Sequence, residues 1–543
     1  MGKPLTMAIR FWTNRKLRFL AVAVIAGLLQ LLLLATPSFS TERIYVSLGP
    51  LERSILVADL ATFAHTGELS DELQPIGRFL SPEQLEQFRA GLLVSADIDV
   101  VTVSQFLYTA QGEAVLKWLG EFIQTEGRLN AGLAVRGATI LAAADADGGL
   151  NILNFLKHFP TPGVRLDLGP VVRIGRTVIN EVNQTNDATV QIFEQAGVAA
   201  SDMRNSTSAD KSVRNLTLPG TNRWELRSLE DTTLPTDLYL PEGQSFPLVV
   251  MSHGLGGNRG TLAYLAEHLA SHGLAVAVVE HPGSSDDQIS ALLSGQIGEV
   301  VEPAEMTRRP LDIHVLLDEL EALVQDDPTL GSRMDLQRVA VVGQSMGGYT
   351  SLAMAGATFD LDTLEKSCPP QITQLNLSLL LQCLVPLLPQ PLPPLQDERV
   401  RAAIAINPLD SAVFGPSGMA NIDIPVMVVS GSADTVTPAL AEQIRPFTWL
   451  NSPERYLLLV ENGTHFSAIH NPQDGEATAI SEQVIGPNPE LAQDYIRAMG
   501  LAFLKTHLAE EDAYQLYLDP AYAATLSRSD LPLALIRELT LEE

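Results

Sequence analysis

The residues best suited to chemistry lie in Gly343-Gln344-Ser345-Met346-Gly347-Gly348. This string follows an apolar run, Val339–Val342, and precedes a helical stretch, Tyr349–Ala357. A serine at a sharp strand-to-helix turn projects its Oγ above a sheet, and glycines on either side leave room for neighbouring elements. A serine hydroxyl needs a base, and the base needs an orienting acid. His465 follows the apolar run Tyr456–Val460 directly and is the candidate base, with His470 in reserve. His268, His314 and His507 fall on helical stretches and are assigned to packing or surface. Asp434 follows the run Val426–Ser430 and is the preferred acid, with Asp410, after Ala402–Ile406, as its rival. His253-Gly254-Leu255-Gly256-Gly257 follows Pro247–Met251. Its glycines let the backbone bend toward the serine, so the N–H groups of Leu255 and Met346 are the candidate oxyanion donors, with His253 bracing the loop. Such a set performs acyl transfer through a covalent intermediate and needs neither metal nor cofactor.

These residues must be held by the elements that precede them. Six short apolar runs between Pro247 and Val460, each followed by a helix-length segment, fit strands buried on both faces of a parallel sheet. Trp224–Leu229 and Thr236–Leu240 read as an antiparallel hairpin before them. The fold class is therefore α/β, a doubly wound, mostly parallel sheet, with ligands beyond the carboxyl ends of the strands. The order Ser345, Asp434, His465 is that of the α/β-hydrolases.

Residues 41–200 show helical spacing, and the segment reads as an all-helical domain. Ser81-Pro82-Glu83-Gln84 opens one helix there. The polar stretch 201–213 reads as a linker, 214–508 as the α/β domain and 509–543 as a C-terminal extension. Phe359–Val400 is too long for a simple connection, and Leu375–Leu395 holds ten leucines in 21 residues. A stretch of that composition must pack on something. It is either a lid lining an acyl pocket, able to touch a lipid surface transiently, or a buttress against the helical domain.

Val249–Ser284, Arg309–Leu320 (RPLDIHVLLDEL) and Val341–Gly348 resemble the platelet-activating-factor acetylhydrolase and predicted dienelactone hydrolase branch of the α/β-hydrolases. The resemblance covers roughly 220–505. It implies a serine esterase acting on short or oxidised acyl esters, without a metal. It carries Ser345 as nucleophile, His465 as base, and Leu255 with Met346 as oxyanion donors. The acetylhydrolases place the acid where Asp410 stands, whereas cutinase-like relatives place it where Asp434 stands. Dienelactone hydrolases proper use a cysteine nucleophile, which this chain lacks at 345. Residues 41–200 resemble a cyanobacterial helical domain of unknown function.

Composition bounds the partners. The 543 residues carry 35 basic and 64 acidic side chains, a formal charge of −29. Such a chain repels phosphate backbones, so no nucleic-acid partner is expected; the expected partner is an ester or phospholipid substrate. Residues 1–40 read as an export signal: basic residues, then the apolar run Phe19–Ala35, then small residues at Ser38 and Ser40. An uncleaved anchor is the alternative, and a periplasmic or extracellular location follows. The two cysteines, Cys368 and Cys383, then read as a disulfide closing a loop of about 15 residues, for roughly 3 kcal/mol. Two cysteines without clustered histidines do not make a metal site. Two other functions stay open: a cutinase-like polyester or triglyceride hydrolase, and a non-catalytic envelope interaction module.

Overall fold

A computed structural model describes residues 41–541 apart from 79, 97, 207–213, 369–375 and 470–484. The export signal and His470 lie outside the described residues. Among those described, no helix is long and apolar enough to cross a membrane. The chain divides into two compact units. One holds the described residues up to Val100 with Leu119–Gly169, and the other holds Val101–Trp118 with everything from Pro170 onward.

In the first unit the helix Pro82–Leu93 forms where Ser81 predicts it. The Ser81 hydroxyl accepts the Gln84 N–H at 3.2 Å, and the Gln84 side chain accepts the Ser81 N–H at 2.9 Å. This reciprocal cap satisfies two backbone donors that the first turn would leave unpaired. The all-helical expectation needs one correction. Strands β1 (Arg43–Leu48), β2 (Leu51–Leu56), β3 (Ile123–Thr125) and β4 (Gly163–Asp167) join in a sheet of order β2-β1-β4-β3. They escape pattern reading because each is short and carries few buried residues, so no apolar run marks them.

From Pro170 the second unit continues along a single helix, Leu168–Ser206. Pro170 sits in its first turn, where a missing N–H breaks no helical bond. The unit is built on a nine-stranded sheet. Its strands are β5 (Trp224–Leu229), β6 (Thr236–Pro241), β7 (Phe246–Ser252), β8 (Ala275–Val279), β9 (Met334–Gln344), β10 (Val400–Ile406), β11 (Val426–Gly431), β12 (Arg455–Val460) and β13 (Leu533–Ile536). The order is β13-β12-β11-β10-β9-β7-β8-β6-β5, with β7 to β12 mutually parallel. The hairpin β5–β6 and the strand β13 add antiparallel edges. The stretch read as a C-terminal extension thus supplies an edge strand.

Alternate residues along the central strands enter different cores. Val249, Met251, Ala340, Val342 and Ile404 pack with the helix Pro489–His507. Leu248, Val250, Val339 and Val341 pack with the helix Glu305–Asp326, and Ala403 and Ala405 with the helix Met346–Met354. The period of two puts a hydrophobic layer on each face, which is why these strands read as continuous apolar runs. The chain winds from β7 to β8 on one side and returns to β9 on the other. The crevice between the ends of β7 and β9 is therefore the switch point at which ligands bind in such sheets.

Candidate active site

Ser345 begins at that crevice, directly after β9. Its φ of 56° and ψ of −117° lie in a region that non-glycine residues avoid, a strain of about 1–3 kcal/mol. The turn is locked by the Ser345 N–H donating to the Ile406 carbonyl at 2.8 Å and by the helix that follows. Gly347 is required here because a Cβ would strike the carbonyl of Ser252 on β7. Ser345 is 7% exposed.

His465 stands in the loop after β12, and its Nδ1 lies 2.7 Å from Asp434 Oδ2. Asp434, after β11, is held on every side. Its Oδ1 accepts the N–H groups of Val436 and Thr437, both at 2.8 Å, and its Oδ2 accepts the Thr437 hydroxyl at 2.8 Å. Asp410, the rival acid, is fully buried after β10, and among the described residues neither of its carboxyl oxygens has a hydrogen-bond partner. Burial, and then the nearby Glu442 carboxylate, push its pKa well above the usual carboxylate range. The structure thus brings Asp434 to His465 and leaves Asp410 apart.

Two side chains that pattern reading missed fix the base loop. Gln344 Nε2 donates to the carbonyl of His465 at 3.1 Å, and Asn407 Nδ2 donates to the carbonyl of Thr464 at 3.2 Å. Gln344 was inside the motif but carried no signal beyond its neighbours. Asn407 has a φ of 44°, and its Oδ1 also accepts the Gly431 N–H at 3.2 Å. It therefore ties the ends of β10, β11 and the histidine loop together.

Met346 is the first residue of its helix, so its N–H has no partner within it. Across the crevice, Gly254 approaches so closely that a Cβ would sit 2.5 Å from the Gln344 side-chain oxygen and 3.2 Å from Ser345 Cβ. The peptides flanking Leu255 are pinned. The Gly256 N–H donates to Ser284 O at 2.8 Å, and Gly254 O accepts the Gly257 N–H at 3.2 Å. His253 braces this loop. Its Nε2 accepts the His281 N–H at 3.0 Å, which leaves Nδ1 to donate to Gly254 O at 2.6 Å. Burial, assisted by the Arg309 charge, lowers its pKa to about 3, so the ring is neutral and the tautomer follows from its bonds. Arg309, fully buried, donates from Nε to Ser284 Oγ at 3.0 Å and from Nη2 to His253 O at 2.8 Å.

The remaining expectations fall as follows. Cys368 and Cys383 are joined in a disulfide. Leu384, Val385, Leu388 and Leu395 of the insertion are buried in the core that also holds Met346, Tyr349, and Ala188, Ile192 and Ala196 of the long helix. Leu377 and Leu387 are exposed. His314 bonds Asp397 and His507 bonds Tyr456, both away from Ser345 in the chain's helices. Among the described residues no group of three or more histidine, cysteine, aspartate or glutamate side chains could hold a metal ion.

A family described as an alpha/beta hydrolase of unknown function matches residues 40–167, and one described as platelet-activating factor acetylhydrolase, isoform II, matches residues 230–328. The second match begins in the hairpin, spans the crevice loop and ends after the helix that carries Arg309. The chain carries the α/β-hydrolase fold. It is 22% identical over 239 residues to Cutinase 1 of Thermobifida cellulosilytica, a match covering 42% of the chain and 64% of that relative. Cutinase est1 of Thermobifida alba is 21% identical over 286 residues, 52% of the chain and 68% of the relative. The platelet-activating factor acetylhydrolase of Canis lupus familiaris is 27% identical over 146 residues, 21% of the chain and 32% of the relative. The chain thus spans from about a third to two thirds of the length of these relatives. Their names support an ester hydrolase in general.

Proposed function

We propose that this protein cleaves carboxylic esters through an acyl-enzyme intermediate. Ser345 Oγ attacks the ester carbonyl while His465 takes its proton. The oxyanion is received by the N–H groups of Leu255 and Met346. The tetrahedral species collapses as His465 protonates the leaving alcohol, and water then repeats the sequence on the acyl-enzyme. Asp434 holds His465 in the tautomer with Nδ1 protonated and stabilises the imidazolium that forms. The observation that carries this reading is the 2.7 Å contact between His465 Nδ1 and a fully hydrogen-bonded Asp434, with Ser345 at the strained turn after β9.

The substrates we propose are short-acyl or lipid-derived esters, met outside the cytoplasm if residues 1–40 direct export. Exposed Leu377 and Leu387 support a transient contact with a lipid surface. One observation favours the cutinase-like alternative, a polyester or triglyceride substrate: the acid bonded to His465 follows β11, the cutinase position, and not β10. The test is a chain-length series of p-nitrophenyl esters beside short-acyl phospholipids and a polyester film, for wild type and Ser345→Ala. Loss of turnover by roughly 10,000-fold in the variant supports the reading. Wild-type turnover in the variant would remove Ser345 as the nucleophile, and no turnover by the wild type would favour a non-catalytic envelope module.

A further inference from the structure

The leucine-rich insertion takes no part in the proposed chemistry, yet its polar side chains converge on one buried residue. Glu442 lies on the π-helical turn Leu440–Ile444, a widened geometry frequent at functional positions. It is fully buried, and its carboxylate receives bonds from both sides. From the loop after β10, the N–H groups of Asp410 and Ser411 donate to Oε2 at 2.9 and 3.0 Å, and the Ser411 hydroxyl donates to Oε1 at 2.5 Å. From the insertion, the Asn376 amide donates to Oε1, and Gln382 Nε2 donates to Oε1 at 3.0 Å and Oε2 at 3.1 Å. Gln382 completes the join, because its Oε1 accepts the N–H groups of Ala412 and Val413 at 2.8 and 2.9 Å. A buried anion satisfied in this way is strongly held, and removing its charge leaves several donors facing nothing.

The same turn of the insertion reaches the acid. Gln382 Nε2 also donates to the Ser378 hydroxyl at 2.8 Å, and the Ser378 N–H donates to the carbonyl of Val436 at 3.1 Å. The N–H of that residue donates in turn to Asp434 Oδ1. The links from Glu442 through Gln382, Ser378 and Val436 to Asp434 are therefore continuous hydrogen bonds.

We propose that Glu442 is a positioning residue for Asp434: it seats the Asn376–Gln382 turn of the insertion against the acid loop, and the seated turn keeps Asp434 in register with His465 Nδ1. This rests on Asp434 being the orienting acid of the proposed reaction.

The test is a double-mutant cycle in the full-length protein. Glu442→Gln replaces an acceptor oxygen by an amide that faces donors. Asn376→Ala is the milder variant: it removes one half-buried donor to Glu442, together with the Oδ1 that accepts the Ser378 N–H and hydroxyl, and leaves the other donors to Glu442 in place. Each is made alone and together with Asp434→Asn, with kcat and KM measured for p-nitrophenyl acetate. If Glu442 acts through Asp434, Glu442→Gln lowers kcat about tenfold and Asn376→Ala about threefold, with KM near that of the parent, and neither lowers kcat more than about twofold in the Asp434→Asn background. An equal-fold loss in both backgrounds, or no loss alone, overturns the proposal. If Glu442→Gln does not fold, the Asn376→Ala cycle decides. Should Asp434→Asn and Ser345→Ala keep wild-type turnover, the proposed Ser345–His465–Asp434 mechanism fails and takes this proposal with it; if both are inactive and the cycle is additive, only the role of Glu442 fails.

Discussion

Gln344 donates from Nε2 to the carbonyl of His465 at 3.1 Å, so the residue before the candidate nucleophile grips the loop of the candidate base. The two residues are 121 positions apart in the chain. The bond ties the turn that carries Ser345 to the backbone of His465.

Gln344→Ala should therefore lower kcat while leaving the fold intact. Loss of the bond strands a buried carbonyl, which costs about 1–3 kcal/mol, or roughly 5- to 100-fold if it is expressed in the transition state. Steady-state kinetics on a p-nitrophenyl ester, beside the rate of labelling by a fluorophosphonate, measures this. Unchanged kcat with a lowered melting point would show that the bond serves stability alone.

Asp434→Asn and Asp410→Asn should differ sharply. The first removes the acceptor that fixes the tautomer of His465, and a loss on the order of 10,000-fold in kcat is expected. The second changes a side chain whose carboxyl oxygens bond no candidate catalytic group, and activity should stay within a few-fold of wild type. The reverse ranking would move the acid to Asp410, the acetylhydrolase arrangement.

Asp410 also predicts a pH dependence of stability. Its folded pKa is raised, so between its unfolded value, about 3.9, and its folded value the native state binds a proton that the unfolded state has released. Stability therefore falls as pH rises through that window, by up to about 1.4 kcal/mol per pH unit from this group. Asp410→Asn removes the slope. The melting temperature of the variant should gain on wild type as pH rises above the unfolded value of about 3.9, by differential scanning calorimetry across a pH series at matched ionic strength. A constant difference across that series would mean that Asp410 ionises normally.

The insertion should separate into a structural and a surface part. Leu384 is buried beside the nucleophile helix, and Leu384→Ala should cost about 2–5 kcal/mol in stability. Leu387 is 68% exposed, and Leu387→Ser should change stability by less than about 0.5 kcal/mol. If the exposed leucines touch lipid, Leu377→Ser with Leu387→Ser should depress turnover of esters presented in vesicles much more than that of dissolved acetyl esters. Equal loss on both would assign these leucines no part in interfacial contact.

Much of this architecture is carried by local pattern. The strands β7 to β12 are continuous apolar runs because both of their faces are buried, and the turn at Ser345 is legible because only glycine fits beside β7 at Gly347. The capped helix at Pro82 is legible for the same local reason, since Ser81 and Gln84 satisfy each other three residues apart. The small sheet of β1 to β4 is not, because its strands bury too little to leave a period.

The choice of acid lay beyond the sequence. Asp434 and Asp410 both follow strands of one parallel sheet, and both precede His465 in the chain. What separates them is environment: Asp434 is bonded through Val436 and Thr437 and faces Nδ1 of His465, while Asp410 is fully buried beside Glu442 with neither carboxyl oxygen bonded among the described residues. Residue type and order decide which groups can react. Which carboxyl is an anion aimed at the imidazole depends on desolvation and on hydrogen bonds between loops tens of residues apart, and only the folded chain sets those.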